Sequence, residues 1–298
     1  MIGTVTRRNL LAYPAVILGA RVLLAARTHI AKSRISAITD EIGRTQTDAI
    51  VFAKEHGLQW VELRNVPESG KEFANLSEPE LKRYAAELAA NKLKVSLLKT
   101  SLLKFPWDAD DKRWARRKED LARAVTAAQI LGVDKIRVFA GTRGTGARAA
   151  DPATAYPAIV QTMQELIPLA ENAKVRLLIE NDPSQNIGTC AELKAIMDLL
   201  PSKSIGFNWD PQNALSLGEM PWPGGYGQLP KARMLNVQIK AEGLSNGPAQ
   251  INWRAVIEAI GRDGYQGEIS VATETSDGTF EKANDSIREV MHIVGELA

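Results

Sequence analysis

The feature that most constrains this chain is a regular alternation of short apolar runs with helical segments. From residue 34 onward the pattern predicts eight strands, at 34–38, 59–64, 94–98, 135–139, 177–181, 205–210, 235–240 and 269–274. Alternating strands and helices imply a parallel sheet with right-handed crossovers. Eight such units in a single chain of this length favour a (β/α)₈ barrel. The alternative is an open sheet with an added helical lobe, which explains the even spacing less well.

Four successive predicted strands carry a polar residue close to their carboxyl ends. These residues are Glu180, Asp210, Gln238 and Glu274. For one strand alone, the simplest interpretation is that the strand stops where polar residues begin. A carboxylate at the end of a buried strand is costly unless something pairs with it. In a barrel all four ends meet at one mouth, so the pattern predicts one shared site.

The sequence also limits the chemistry of that site. The three histidines, His29, His56 and His292, do not end any predicted strand, which excludes a histidine base and a multi-histidine zinc centre. The single cysteine, Cys190, excludes an internal disulfide and is expected to pack at the start of a helix. Carboxylate and amide oxygens suit Mg²⁺ or Mn²⁺. Without an ion, clustered carboxylates would raise one another's pKa values and form an acid and a base.

Residues 1–33 differ in composition from the rest of the chain. Arg7 and Arg8 precede an apolar run, which is the layout of a twin-arginine export signal followed by a linker. The alternative is a frayed amphipathic N-terminus. The run is too short and interrupted for a spanning helix, so no stable membrane insertion is expected. We therefore expect a catalytic barrel domain at 34–298 and a periplasmic location, or a cytoplasmic one if the signal is absent.

Charge gives no support for nucleic-acid binding, because the net charge is only +2 and no block of like charges occurs. A metal-dependent apurinic endonuclease would need several histidines at strand ends and a basic surface. The sequence therefore indicates a small-molecule site.

Six short motifs, taken together and in order, resemble the sugar phosphate isomerase/epimerase family of xylose isomerase-like TIM barrels. The resemblance covers residues 34–298. The motifs are Thr39-Asp40-Glu41-Ile42, Val61-Glu62-Leu63-Arg64, Leu178-Ile179-Glu180-Asn181, Trp209-Asp210-Pro211-Gln212-Asn213-Ala214, Val237-Gln238-Ile239-Lys240 and Glu274-Thr275.

The resemblance implies a divalent ion, Mn²⁺ or Mg²⁺ with Co²⁺ as another option, held by Glu180, Asp210, Gln238 and Glu274. It also implies that Glu180 and Glu274 form the acid/base pair beside a substrate carbonyl. Two residues depart from the family pattern: Gln238 stands where histidine is usual, and Ala241 stands where aspartate commonly follows. An amide oxygen binds Mn²⁺ or Co²⁺ more weakly than imidazole does, so the departure predicts weaker or altered metal binding.

Further residues near the strand ends are candidates for substrate binding. They are Glu62, Lys104, Asn181, Asn213, Trp222 and Lys240. Glu62 and Arg64 are also expected to pair with each other. Lys99 and Lys104 follow the third strand; Lys104 could face the pocket, although a solvated loop lysine is the default interpretation for it. Asn181 and Asn213 are expected to orient neighbouring ligands or to bind hydroxyls.

The leading hypothesis is a metal-dependent sugar isomerase or epimerase that transfers protons next to a carbonyl. One alternative is a lyase or hydratase acting on 3-keto-glycosides, because abstraction of the same proton starts both reactions. Another is a carbohydrate-binding barrel without turnover, which the substitution at Gln238 favours and the three carboxylates oppose. The expected partner is a small carbohydrate, and the resemblance implies a homodimer or homotetramer.

Overall fold

The chain folds into a closed barrel of eight parallel strands, in the order β1 to β8, with helices between them. The computed structural model describes residues 29–106, 112–143, 152–240, 251–273 and 280–298. The strands are β1 Ile35–Ile38, β2 Trp60–Leu63, β3 Lys94–Lys99, β4 Lys135–Val138, β5 Arg176–Glu180, β6 Ile205–Trp209, β7 Met234–Lys240 and β8 Glu268–Ala272. β8 pairs with β1 in parallel and closes the barrel. The (β/α)₈ prediction is confirmed.

Helices of very different length connect the strands. The α-helices are α1 Thr39–Ile42, α2 Gln46–Glu55, α3 Glu78–Ala90, α4 Lys112–Ala115, α5 Arg117–Leu131, α6 Tyr156–Ala173, α7 Cys190–Leu199, α8 Pro211–Ser216, α9 Tyr226–Gln228, α10 Trp253–Arg262 and α11 Glu281–Leu297. The sequence from 111 to 131 predicts one continuous helix, but the structure has two, α4 and α5, which are separated at Arg116. Ser77 is the N-cap of α3, and the carboxylate of Glu80 accepts hydrogen bonds from its backbone N–H and its hydroxyl.

The apolar core lies between the barrel and its helices. In β6, Phe207 and Trp209 are fully buried, and Trp209 lies against Cys190 at the start of α7. Asn208, between them, contacts side chains from β5 and β7, so it faces the inside of the barrel. The strand period of two therefore sends apolar side chains to the helices and polar side chains to the interior.

The N-terminal boundary of the barrel domain stays a prediction, as do the export signal and linker predicted over residues 1–33, of which 1–28 are not described. Ile30 is buried in the hydrophobic core, and Lys32–Arg34 form a short 3₁₀ turn before β1. The packed part of the chain thus includes residues just before 34.

Gly43 separates α1 from α2 at a point where the backbones nearly touch. A Cβ atom there would lie 2.3 Å from the backbone nitrogen of Ala49 and 2.9 Å from the carbonyl oxygen of Thr45. Since both neighbours are backbone, we expect Gly43→Ala to destabilise the protein by about 2 kcal/mol. Thermal denaturation followed by circular dichroism should show a Tm about 5 °C lower.

The matched control is Gly227→Ala, where nothing lies within 4 Å of the added carbon. An equal fall in Tm for both variants would show that the close approach at Gly43 is not the cause.

A polar site at the carboxyl end of the barrel

Polar side chains line a cavity of about 330 Å³ at the carboxyl ends of the strands. This is the end of such barrels at which active sites lie. Its walls include Lys99, Arg137, Glu180, Gln238 and Lys240. A larger cavity of about 660 Å³ lies at the opposite end, near the first residues of the strands. We assign the candidate site to the smaller cavity, because the predicted site residues lie there.

Glu180 ends β5 and is held by three donors. Asn208 donates a hydrogen bond to its Oε2 over 2.6 Å, and Arg137 Nη1 lies 3.3 Å from the same oxygen. Lys99 Nζ lies 3.6 Å away. Burial alone would raise the pKa of Glu180, but the positive charges of Lys99 and Arg137 and the Asn208 hydrogen bond lower it to about 2. Glu180 is therefore ionised at neutral pH.

Lys99, the last residue of β3, lies in the middle of the site. Its side chain is 1% exposed, and its ammonium donates to Gln238 Oε1 over 2.5 Å. The same nitrogen lies 3.5 Å from Glu62 Oε2 and 3.6 Å from Glu180 Oε2. The prediction that Lys99 follows the third strand is wrong, because β3 extends one residue further than predicted and carries the side chain into the barrel.

A second layer of polar groups lies beneath Lys99. Asn236 donates to Glu62 Oε1 over 2.7 Å and to Asn208 Oδ1 over 2.9 Å. Asn208 also donates to Gln238 Oε1 over 3.2 Å. These residues come from β2, β6 and β7, so the hydrogen bonds cross the barrel interior. Such barrels usually fill this space with branched apolar side chains.

Asp210 caps the N-terminus of α8 and is fully buried. Its Oδ1 accepts a hydrogen bond from the backbone of Asn213 over 2.9 Å, and its Oδ2 lies 3.4 Å from Lys240 Nζ. Asn181 binds the backbone N–H and carbonyl of Asp210, which fixes its position. Burial raises the pKa of Asp210 to about 7, with Lys240 opposing the shift and Glu180 adding to it.

The raised pKa makes Asp210 a source of pH-dependent stability. A carboxyl whose folded-state pKa is raised stabilises the fold at low pH, and that contribution is lost as pH rises from about 4 toward 7. We expect Asp210→Asn to remove this dependence. In urea titrations, the free energy of unfolding should fall between pH 5 and pH 8 by less in Asp210→Asn than in the wild type.

Asp134→Asn provides the control for this measurement, because Asp134 is an exposed carboxylate paired with Arg176. If Asp134→Asn changes the pH dependence as much as Asp210→Asn does, burial of Asp210 is not responsible.

The structure brings together most of the predicted site residues. Glu180, Gln238 and Lys240 line the cavity, and Asp210 is buried behind Lys240. Asn213 connects Asp210 to Lys240 through a 2.8 Å hydrogen bond from the ammonium. Glu274 lies outside the described residues, and its roles stay predictions.

The remaining predicted residues lie at different depths. Lys104 lines the rim of the cavity and pairs with Asp182 over 3.0 Å. Glu62 is fully buried beneath the cavity. It pairs with Lys99, whereas Arg64 pairs with Asp40 and Glu41, so the expected pairing of Glu62 with Arg64 is wrong.

Trp222 and Cys190 do not line the cavity. Trp222 contacts Tyr226, with ring centroids 5.4 Å apart. Cys190 is fully buried, as expected for a packing role, and burial raises the pKa of its thiol.

Sequence reasoning missed Lys99, Arg137, Asn208 and Asn236. For Asn208 and Asn236, the signal in the sequence is the strand period of two. Asn236 precedes Gln238 by two residues, and Asn208 precedes Asp210 by two, so each shares a face with a predicted site residue. Polar side chains inside otherwise apolar strands thus mark the inner face of the barrel.

The fold and the placement of these groups define the class: a (β/α)₈ barrel with a charged site at its carboxyl end. A family model described as the xylose isomerase-like TIM barrel matches residues 50–294. The chain belongs to this family. No curated protein sequence matches the chain significantly.

Solved structures with the same fold include two epimerases and a magnesium-bound protein. The 3-keto-D-glucoside 4-epimerase from E. coli is 14% identical, with a TM-score of 0.68 over 87% of this chain and 98% of that chain. The D-psicose 3-epimerase from Clostridium cellulolyticum, with D-tagatose, is 12% identical, with a TM-score of 0.68 over 89% and 98%. A xylose isomerase-like TIM barrel protein from Mycobacterium smegmatis, in complex with magnesium, is 17% identical, with a TM-score of 0.67 over 89% and 97%.

None of the helices in the described residues is long and apolar enough to cross a membrane.

Proposed function

We propose that this protein is a carbohydrate isomerase or epimerase that transfers a proton at a carbon next to a carbonyl group. The observation that carries the proposal is the grouping of Glu180 with Lys99, Arg137 and Lys240 around one cavity. Proton abstraction beside a carbonyl uses an ionised carboxylate as the base, and fixed positive charges nearby stabilise the negative charge that develops on the carbonyl oxygen. Two structural relatives are sugar epimerases, which supports this class of reaction.

The residues of the site have different roles in the proposed reaction. Glu180 and Glu274 exchange the proton with the carbon, as the family resemblance implies. Loss of the proton places negative charge on the carbonyl oxygen, and Arg137 and Lys240 line the cavity where that charge forms. Asn213 and Asp210 hold Lys240 in place. Lys104, at the rim, is placed to bind substrate hydroxyls.

The predicted divalent ion, Mn²⁺ or Mg²⁺, does not fit the described oxygen atoms well, although one relative binds magnesium. Gln238 Oε1 already accepts hydrogen bonds from Lys99 and Asn208. Glu180 Oε2 accepts from Asn208 and Arg137. Among the described residues, no three His, Cys, Asp or Glu side chains are grouped to hold a metal. No step proposed here therefore passes through an ion.

Hydrogen exchange with solvent tests the proposal directly. The protein is incubated in D₂O with D-tagatose, D-fructose and a 3-keto-D-glucoside, and ¹H NMR follows loss of the proton beside the carbonyl. We expect deuterium incorporation with conversion to an isomer or epimer. A new conjugated absorbance in the ultraviolet would instead indicate a lyase. Binding by calorimetry without exchange would indicate a carbohydrate-binding barrel and contradict the proposal.

Export to the periplasm and assembly into a homodimer or homotetramer complete the proposal. Both rest on the sequence: the paired Arg7 and Arg8 for export, and the family resemblance for assembly.

A further inference from the structure

Lys99 is surrounded by oxygen atoms in the way that a bound cation would be. Three strands, β2, β5 and β7, each direct one oxygen atom at its ammonium. Gln238 Oε1 is 2.5 Å away, Glu62 Oε2 is 3.5 Å away and Glu180 Oε2 is 3.6 Å away. The side chain is 1% exposed, so solvent contributes little to its stabilisation.

Two of these three partners, Glu180 and Gln238, are residues that the family resemblance assigns to a divalent ion. Gln238 Oε1 accepts from Lys99 and also from Asn208 over 3.2 Å, so both lone pairs of the amide oxygen are used. A divalent ion needs its oxygen ligands at about 2.0 to 2.6 Å. Gln238 therefore cannot ligate an ion without giving up its hydrogen bond from Lys99.

The buried acidic groups around Lys99 already have cationic partners. Three cationic side chains contact three carboxylates: Lys99, Arg137 and Lys240 against Glu62, Glu180 and Asp210. An added divalent ion would lie beside the Lys99 ammonium in a buried environment, where like charges repel strongly. Repulsion from the Lys99 ammonium therefore disfavours the binding of a divalent ion next to it.

We infer that the Lys99 ammonium is the resident cation of this site and takes the place of the family's divalent ion between Glu180 and Gln238. The inference concerns ion binding and stands independently of the proposed turnover. It predicts that the protein binds Mn²⁺ poorly and that Lys99 is the reason.

Titration of the full chain with Mn²⁺, followed by electron paramagnetic resonance of the free ion, tests the inference. We expect no stoichiometric binding by the wild type up to about 1 mM Mn²⁺. Lys99→Ala removes the charge and leaves Glu62, Glu180 and Gln238 facing the vacated space. This variant should bind about one Mn²⁺ per chain, at least about tenfold more tightly than the wild type.

Lys135→Ala is the matched control, because Lys135 is a buried lysine paired with Glu268 at the opposite end of the barrel. It should bind Mn²⁺ no better than the wild type. Lys99→Met removes the charge but keeps most of the side-chain volume. It replaces Lys99→Ala in the Mn²⁺ titration if Lys99→Ala does not fold. Circular dichroism establishes that each variant is folded.

Two results would overturn the inference. One is stoichiometric, micromolar Mn²⁺ binding by the wild type that is lost in Glu180→Gln. The other is a folded Lys99 variant that gains no Mn²⁺ affinity, since another feature would then exclude the ion. If neither Lys99 variant folds, stoichiometric Mn²⁺ binding by the wild type still overturns the inference, and no binding up to about 1 mM supports it. Because the readout is ion binding, it is separate from the D₂O experiment, and either proposal can fail without the other.

Discussion

Glu180→Gln should slow proton exchange at the substrate carbon by about 10²- to 10⁴-fold. The amide keeps the size of the side chain but can neither accept nor return the proton. The loss should appear in kcat more than in KM, because the substituted group acts on the reacting carbon and not mainly on binding. The measurement is the rate of deuterium incorporation in D₂O, with the substrate that the wild type exchanges fastest.

Glu268→Gln is the control for this variant. Glu268 is also a carboxylate paired with a buried lysine, but it begins β8 at the far end of the barrel. It should exchange substrate protons at close to the wild-type rate. A Glu180→Gln protein that is folded and as fast as Glu268→Gln would remove Glu180 from the proposed chemistry.

Asn208→Asp should destabilise the protein by about 3 kcal/mol at pH 8. Asn208 Nδ2 donates to Glu180 Oε2 over 2.6 Å, and the substitution replaces this donor with a second carboxylate in a fully buried position. Two ionised carboxylates at that distance repel, which raises the pKa of one of them. The loss of stability should therefore be smaller at pH 5 than at pH 8, because protonation relieves the repulsion.

Asn75→Asp makes the same chemical change at the surface. Asn75 donates to Glu72 over 3.4 Å in an exposed position, where solvent screens the new charge. Urea denaturation should show a change below about 0.5 kcal/mol for this control. If Asn208→Asp were no worse than Asn75→Asp, the buried hydrogen bond to Glu180 would contribute little to the fold.

The barrel was predictable because its signals are local. Apolar runs of four to seven residues, separated by capped helices, are visible in the sequence without knowledge of distant contacts. The sequence Ser77-Glu78-Pro79-Glu80 is typical of a helix start, and α3 begins at Glu78. The break at Arg116 was not predicted, because the residues on both sides of it are good helix formers.

The site was predictable only in part. The positions of the strand ends show which side chains lie close together, but not which groups each side chain contacts. The sequence identified Glu180, Asp210 and Gln238, and they lie together. It did not reveal that Lys99 turns inward, because the predicted strand ends at residue 98 and so leaves Lys99 outside β3. The hydrogen bonds from Asn236 to Glu62 and from Lys99 to Gln238 depend on the closed barrel, which joins residues far apart in the chain.

The hydrogen bonds inside the barrel join residues that are far apart in the chain, and this separation affects the order in which the protein folds. Asn236 and Glu62 are 174 positions apart, and Lys99 and Gln238 are 139 apart. A partly folded chain that has formed β1 to β6 still lacks Gln238, the nearest acceptor for Lys99, and Asn236, the donor to Glu62 Oε1. Burying those groups early would be costly, so intermediates of this kind should keep the barrel open and hydrated. Arrival of β7 supplies both partners at once, and the polar interior thereby makes ring closure a cooperative, late event in folding.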